Sequence, residues 1–186
     1  SNVYERRMMD DADVVVLEVN PNVPRTFGDV NVPAEQVDYF IAADYPMPEI
    51  KDPVLGERDV KIGKLIAGIV DDGDCIQLGI GSIPNAVAAA LTDKKDLGVH
   101  TEMFTTGIMN LMKAGVVTGR YKQVHREKAV CSFMIGSREM YDFVDDNPAV
   151  LVLDCNYVNA PGIIARNDNQ VSINTSLEVD ITGQCC

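Results

Sequence analysis

The stretch "DGDCIQLGIGSIPNAV", residues 72–87, decides the fold. Its "CIQLGIG" is a short apolar run of strand type. "SIPNAVAAAL" after it is helical, with Pro84 in the first turn, where a missing N–H costs nothing. Gly79 and Gly81 at the junction allow close backbone approach, and the helix start offers unpaired N–H groups to an anion. No GK[ST] follows, so this is not a P-loop, and Pro84 stands where a dinucleotide-binding fingerprint has its third glycine. From these residues alone, a plain tight turn and an anion cradle fit equally well.

The alternation continues on both sides. Upstream, "DVKIGKLIAGIVDDGD" (59–74) places Ile62, Leu65, Ile66 and Ile69 at helical spacing after Asp59 as a cap, and "DDGD" ends the helix. Downstream, "LGVHTEM" (97–103) reads as a strand. "GIMNLMKAG" (107–115) reads as a helix with Ile108, Leu111 and Met112 on one face and Gly115 as its stop. "KAVCSFMIG" (128–136) is a strand, "SREMYDFVDD" (137–146) a helix and "AVLVLDC" (149–155) a strand. Strands alternating with short helices predict an α/β fold with a mostly parallel sheet.

The flanks differ. "DADVVVLEVNP" (11–21) holds a β-branched run, Val14 to Val19, that predicts a buried strand closed by a loop. "VDYFIAADYPMPEIKDPVLG" (37–56) gives a second strand-like run, then Pro46, Pro48 and Pro53, which no helix or central strand accommodates. A domain boundary is therefore expected there, with residues 1–50 in one unit and 51–186 in another. At the end, "QVSINTSLEVDITGQ" (170–184) alternates Val171, Ile173, Leu177, Val179 and Ile181 with polar residues, a pattern of extended chain with one solvated side.

Composition bounds the chemistry. The 186 residues are 46% hydrophobic, enough for one good core, and the net charge of −12 opposes binding to nucleic acid or an anionic membrane. A phosphate-bearing ligand would need a local patch such as Arg6/Arg7/Arg25 or Lys94/Lys95. The longest apolar runs fall far short of the roughly 20 residues that span a bilayer, and no signal-peptide pattern opens the chain. Five cysteines without CxxC spacing and two histidines argue against zinc or another metal. Cys75, Cys131 and Cys155 sit in apolar runs and read as small core hydrophobes. Eight Met and an odd Cys count fit a reducing, cytoplasmic setting.

Ligands gather at the carboxyl ends of strands in parallel sheets. Three segments end strands here. The first is the Gly79–Ser82 turn. The second is Glu102, which in a continuous strand shares a face with His100; without other information a solvated carboxylate and a structural histidine are the plain reading. The third, "DCNYVNAPGIIARNDNQVSIN" (154–174), carries Asn156, Asn159, Asn167, Asn169 and Asn174, most of them expected as turn formers and a few as amide donors to a ligand.

Taken in order, these segments resemble the acetyl-CoA hydrolase/transferase family, above all its 4-hydroxybutyrate and butyryl-CoA:acetate CoA-transferase branch. The matching text is "NPNVPRTFGD", "DGDCIQLGIGSIPNAV", "DLGVHTEMFTTGIMNLMKAGVVTG", "GSREMYDFVDDNP" and "YVNAPGIIARNDNQVSINTSLEVDITGQ". The resemblance implies an incomplete CoA-transferase-like (NagB/RpiA-like) domain: a family-one domain end in residues 1–50 and the start of the glutamate domain in 51–186. It makes Glu102 of the HTE motif the nucleophile and demotes His100 to structure. It places Asn159 at the thioester oxygen, and assigns Gly79, Ile80, Gly81, Ser82 and Asn174 to substrate and CoA. The family continues past this sequence into a glycine-rich "GGxGDF"-like segment, so a fragment with little activity of its own is expected.

The chemistry so implied suits a lone carboxylate. CoA passes from a thioester to a free acid through a mixed anhydride and a glutamyl-CoA thioester, with no proton moved and hence no histidine base. A carboxylate is a weak nucleophile that is strengthened by a dry pocket and by donors aimed at the oxyanion. No tightly bound cofactor is implied; coenzyme A enters as acyl-CoA substrate beside a short-chain carboxylate, and association into a homo-oligomer stays open. Acetyl-CoA hydrolysis, a non-catalytic nucleotide-binding domain built on the GIGSIP turn, and an inactive structural fragment are the alternatives.

Overall fold

The computed structural model describes residues 2–185. All named strands that pair do so in parallel, as the alternation requires. After helix α1 (Glu5–Asp11) come β1 (Val16–Val19), β2 (Phe27–Gly28), a 3-10 turn (Ala34–Gln36) and β3 (Tyr39–Ala42). Then follow α2 (Glu57–Ala67), β4 (Cys75–Leu78), α3 (Ser82–Ala90), β5 (Gly98–Val99), β6 (Met103–Phe104) and α4 (Thr106–Lys113). The last elements are β7 (Ala129–Cys131), β8 (Phe133–Met134), α5 (Arg138–Val144), β9 (Val150–Val152), α6 (Cys155–Val158), α7 (Pro161–Ile164) and β10 (Gln170–Ile173).

β10, β4 and β5 lie side by side, as do β7, β9 and β2, and a parallel bridge from His100 to Val130 joins the two groups. The effective order is β10-β4-β5-β7-β9-β2. Ile76, Val99, Val130 and Val152 along it are fully buried. Helices cover the sheet: α2 packs on α3, burying Gly63 and Ala67, and α4 buries Ile108, Met109 and Leu111. Gly115 stops α4 at φ 74°, as its sequence position predicts. The proline-rich stretch up to Gly56 forms neither helix nor strand.

Several expectations need correction. The strand expected over 97–103 is two pieces, β5 and β6, and 128–136 likewise divides into β7 and β8. Register is unchanged across the break, from His100↔Val130 to Met103↔Phe133, so no residue is inserted. Instead the Glu102 carbonyl takes both the Ser132 and the Phe133 N–H, at 2.8 and 3.1 Å. The Thr101 hydroxyl meanwhile turns to the Leu78 carbonyl. The ladder is locally rearranged at Glu102.

The Val14–Val19 strand is exposed rather than buried, because β1 and β3 pair only with each other among the described residues, leaving Val16 51% and Phe40 56% accessible. Gly56 is the N-cap of α2; Asp59 is its third residue and reaches back to the Gly56 N–H at 2.9 Å. Along α2 the face carrying Gly63 and Ala67 is buried, whereas Leu65 and, in the turn just after the helix, Ile69 are exposed. The tail holds one strand, β10, and beyond it Leu177, Val179 and Ile181 are exposed. The asparagine-rich segment contains two short helices, α6 and α7, signalled in hindsight by Asp154 as N-cap of the first and Pro161 opening the second.

Candidate active site

Glu102 sits at the strand break, where its neighbours are fixed from three sides. His100 is 3% exposed, and its Nε2 donates to the Val158 carbonyl at 2.8 Å. Thr101, 1% exposed, bonds Leu78 O through its hydroxyl and Val130 O through its N–H. Glu102 then projects from this buried base, and the Asn159 amide donates to its Oε2 at 2.8 Å. Asn159 closes α6, directly after the Val158 that His100 holds. Successive rungs, His100 to Val158 and Glu102 to Asn159, pin α6 to the strand break. Burial pushes the His100 pKa down despite the Val158 bond. Its Nδ1 has no partner among the described residues, so protonating it would bury an unmatched N–H.

Two clefts flank the carboxylate. One, about 250 Å³, is walled by Leu78, Gly79, Ile80, Met103 and Phe133. The other, about 370 Å³, is more polar, with Thr101, Asn159, Gln170 and Ser172 in its walls. Glu102, Gln77 and Asn174 belong to both. Gln77 and Asn174 exchange amide hydrogen bonds at 3.0 and 2.9 Å, and Ser172 donates to Gln77 at 2.6 Å, so β4 and β10 present one polar ladder beneath Glu102. A Cβ at position 79 would stand 2.6 Å from Asn174 Oδ1, which explains glycine there.

Of the residues singled out from sequence, Glu102, Asn159, Gly79, Ile80 and Asn174 thus come together. Gly81, at φ +122°, lines a smaller depression beyond Ile80, and the Ser82 hydroxyl turns to Asp59 Oδ1 at 3.2 Å, away from both clefts. Within the Gly79–Ser82 turn the Gly79 N–H is spent on Ile173 O at 2.8 Å; among the described residues no acceptor meets the N–H of Ile80 or Gly81. The dry pocket is not built by these residues: Glu102 and Asn159 are both exposed, because the clefts wall the carboxylate on two sides and leave the third open. Sequence reasoning missed Gln77, Thr101, Ser172 and Cys155. Gln77 had a signal, a lone amide in the apolar run "CIQLG". Cys155, read as a core hydrophobe, is half-buried and touches Asn159 at 3.1 Å. Arg6, Arg7 and Arg25 each pair with an aspartate, so the suggested arginine patch is neutralised residue by residue.

A sequence profile of the acetyl-CoA hydrolase/transferase C-terminal domain matches residues 136–186. A 4-hydroxybutyrate coenzyme A transferase of Clostridium kluyveri is 44% identical over 186 residues, 100% of this chain and 43% of that protein. The chain belongs to the acetyl-CoA hydrolase/transferase family. The crystal structure of RipA from Yersinia pestis superposes with a TM-score of 0.96 at 38% identity, over 100% of this chain and 43% of that one. A 4-hydroxybutyrate CoA-transferase from Porphyromonas gingivalis superposes at 0.93 with 41% identity, over 96% and 46%. The parallel α/β architecture is therefore that of the family. The chain spans less than half the length of these relatives.

Proposed function

We propose that the protein carrying this chain transfers CoA between a short-chain acyl-CoA and a carboxylic acid of the 4-hydroxybutyrate, butyrate or acetate type, with Glu102 as covalent carrier. The observation that supports it most directly is the Asn159–Glu102 bond of 2.8 Å between two clefts, with no general base among the described residues in hydrogen-bond contact with the carboxylate. A carboxylate oxygen attacks the acyl carbon, the C–S bond breaks and CoA leaves as thiolate. The thiolate attacks Cδ of Glu102 in the mixed anhydride, expelling the first acid and leaving a glutamyl-CoA thioester. A second carboxylate attacks Cδ and releases the thiolate, which then takes the new acyl group and returns Glu102 to its ionised form. Bonds made equal bonds broken, and no proton moves.

Asn159 and the Ile80 and Gly81 amides are the donors assigned to the oxyanion, each worth about 3–4 kcal/mol when well placed. The third side of Glu102, open here, is assigned to parts of the full-length protein outside this stretch. In the same reading residues 1–50 close a first domain and 51–186 begin the glutamate domain. The test is to incubate full-length protein with acyl-CoA and no acceptor, reduce with borohydride and map the peptides. Reduction of the Glu102 side chain is expected; an intact Glu102 with label elsewhere overturns the mechanism. Turnover that runs equally without added carboxylate would make the activity hydrolytic.

A further inference from the structure

The Asn159 amide has two hydrogens, and both are accounted for. One goes to Glu102 Oε2 at 2.8 Å, the other to Cys155 Sγ at 3.1 Å. Cys155 opens α6 and Asn159 is its C-cap, four residues on, so one helical turn stacks the sulfur against the amide. The backbone under the sulfur is held by hydrogen bonds. Asn2, 2% exposed, donates its N–H to Ser132 O at 2.7 Å and accepts the Cys155 N–H at 3.0 Å. The fully buried Ser132 hydroxyl lies beside the same sulfur without hydrogen-bond geometry to any atom among the described residues.

We propose that Cys155 is a positioning residue: its sulfur holds one Asn159 N–H so that the other stays aimed at the reacting centre when Glu102 is consumed. The inference rests on the CoA-transfer reading. In the resting site the second N–H belongs to the carboxylate. Once that carboxylate attacks, its oxygen becomes part of the anhydride and accepts poorly, and an amide held at one point only would rotate about its terminal torsion. The N–H···S contact keeps the plane, and the freed N–H meets the oxyanion that grows beside the former carboxylate. For this the sulfur must remain a neutral acceptor. Burial first and then the Glu102 charge push the thiol pKa up, with a weaker push from Asp154, while Ser132 and Asn159 act in the opposite direction.

The experiment has two arms on full-length protein. In the first, iodoacetamide labelling of the Cys155 peptide is followed by mass spectrometry against pH in wild type and Glu102→Gln. Removing the charge is expected to move the labelling midpoint to lower pH, and an unmoved midpoint overturns the contact. In the second, steady-state kinetics compare Cys155→Ala with Cys155→Ser. Alanine is expected to lower kcat by about tenfold to a hundredfold with KM for acyl-CoA unchanged. Serine, which keeps an acceptor, is expected to recover most of the loss. A wild-type kcat in the alanine variant, or serine as impaired as alanine, overturns the proposal. If alanine fails to fold, the labelling arm decides. Full activity in Glu102→Gln would instead defeat the CoA-transfer reading, while the labelling arm still reports whether Cys155 and Glu102 meet.

Discussion

His100 donates to the carbonyl of Val158, 58 residues away in sequence, and the next residue on that helix is the one whose amide reaches Glu102. The histidine therefore sets the height of α6 against the strand break. It does so as a neutral ring: Nε2 carries the proton that Val158 accepts, and burial disfavours the cation. Replacing His100 with Ala leaves a buried carbonyl unmatched, a cost of about 1–3 kcal/mol. The expected result is a lower denaturation midpoint for His100→Ala, with kcat falling as Asn159 drifts. An unchanged midpoint would mean that the Val158 bond carries no stability.

The same ring predicts a pH dependence. Its folded pKa lies below the unfolded value of about 6.5, so the unfolded chain binds more protons as pH falls through that range. Stability is present above pH ~6.5 and is lost on acidification below it. His125, also shifted down chiefly by burial, acts in the same direction. Urea melts between pH 5 and 7.5 should therefore show a smaller acid loss in His100→Ala than in wild type. Parallel curves would remove His100 from the account.

Asn159 separates electrostatic from steric roles. On the proposed mechanism Asn159→Ala deletes one oxyanion donor and should lower kcat by roughly 10² to 10³. Asn159→Asp keeps the shape but sets a second carboxylate about where the amide met Glu102, so it should be the worse enzyme at neutral pH. Should the aspartate variant outperform alanine in kcat, the bond to Glu102 is not what the side chain contributes.

Much of this arrangement was legible in the residues. The strand–turn–helix at 75–90 follows from "GIGSIP" because glycine and an early proline leave few other conformations, and the Gly115 stop follows from the αL position it occupies. Glu102, Asn159 and Gly79 come together as the family resemblance, and not any local pattern, implied. What was hidden depends on partners far along the chain. The break at His100–Glu102 is imposed by the Leu78 and Val130 carbonyls of neighbouring strands, which no local pattern encodes. Helical periodicity marks an apolar stripe on α2 but does not say that α3 takes the Gly63 face and leaves Leu65 and Ile69 bare. Cys155 looked apolar because it ends an apolar run; its contact with Asn159 exists only once α6 turns.

Gly79 offers a double-mutant test of the polar ladder. A methyl at that position meets the Asn174 side-chain oxygen at 2.6 Å, so Gly79→Ala should displace the Asn174 amide from Gln77 and lower activity. Because the obstacle is a side chain, Asn174→Ala removes it. The double variant should then be no worse than Asn174→Ala alone, a coupling of the kind expected for residues in contact. Strict additivity of the two losses would place the damage in the backbone instead.

Lys122 carries the last prediction. The residue is 4% exposed, and Nζ donates to the carbonyls of Val99 and Lys128, both at 2.7 Å, tying β5 to the approach of β7 just below the His100 rung. No carboxylate is in contact with it among the described residues, so burial dominates and lowers its pKa to about 8, against a smaller opposing effect of Cys75. Between pH ~8 and the unfolded value of about 10.4 the unfolded chain therefore holds a proton that the folded chain has given up. Raising pH through that window stabilises the fold, and the neutral amine keeps two N–H donors for the two carbonyls. Lys122→Met abolishes the titration and orphans both acceptors. It should be less stable than wild type at pH 7, and the gap should widen as pH rises from 8 to 10. The difference between the two proteins cancels alkaline titrations remote from Lys122, and a Cys75→Ala background removes that of the coupled Cys75 thiol, which burial pushes up to about 11. A gap that stays constant over that range would show that Lys122 titrates as an ordinary, solvated amine.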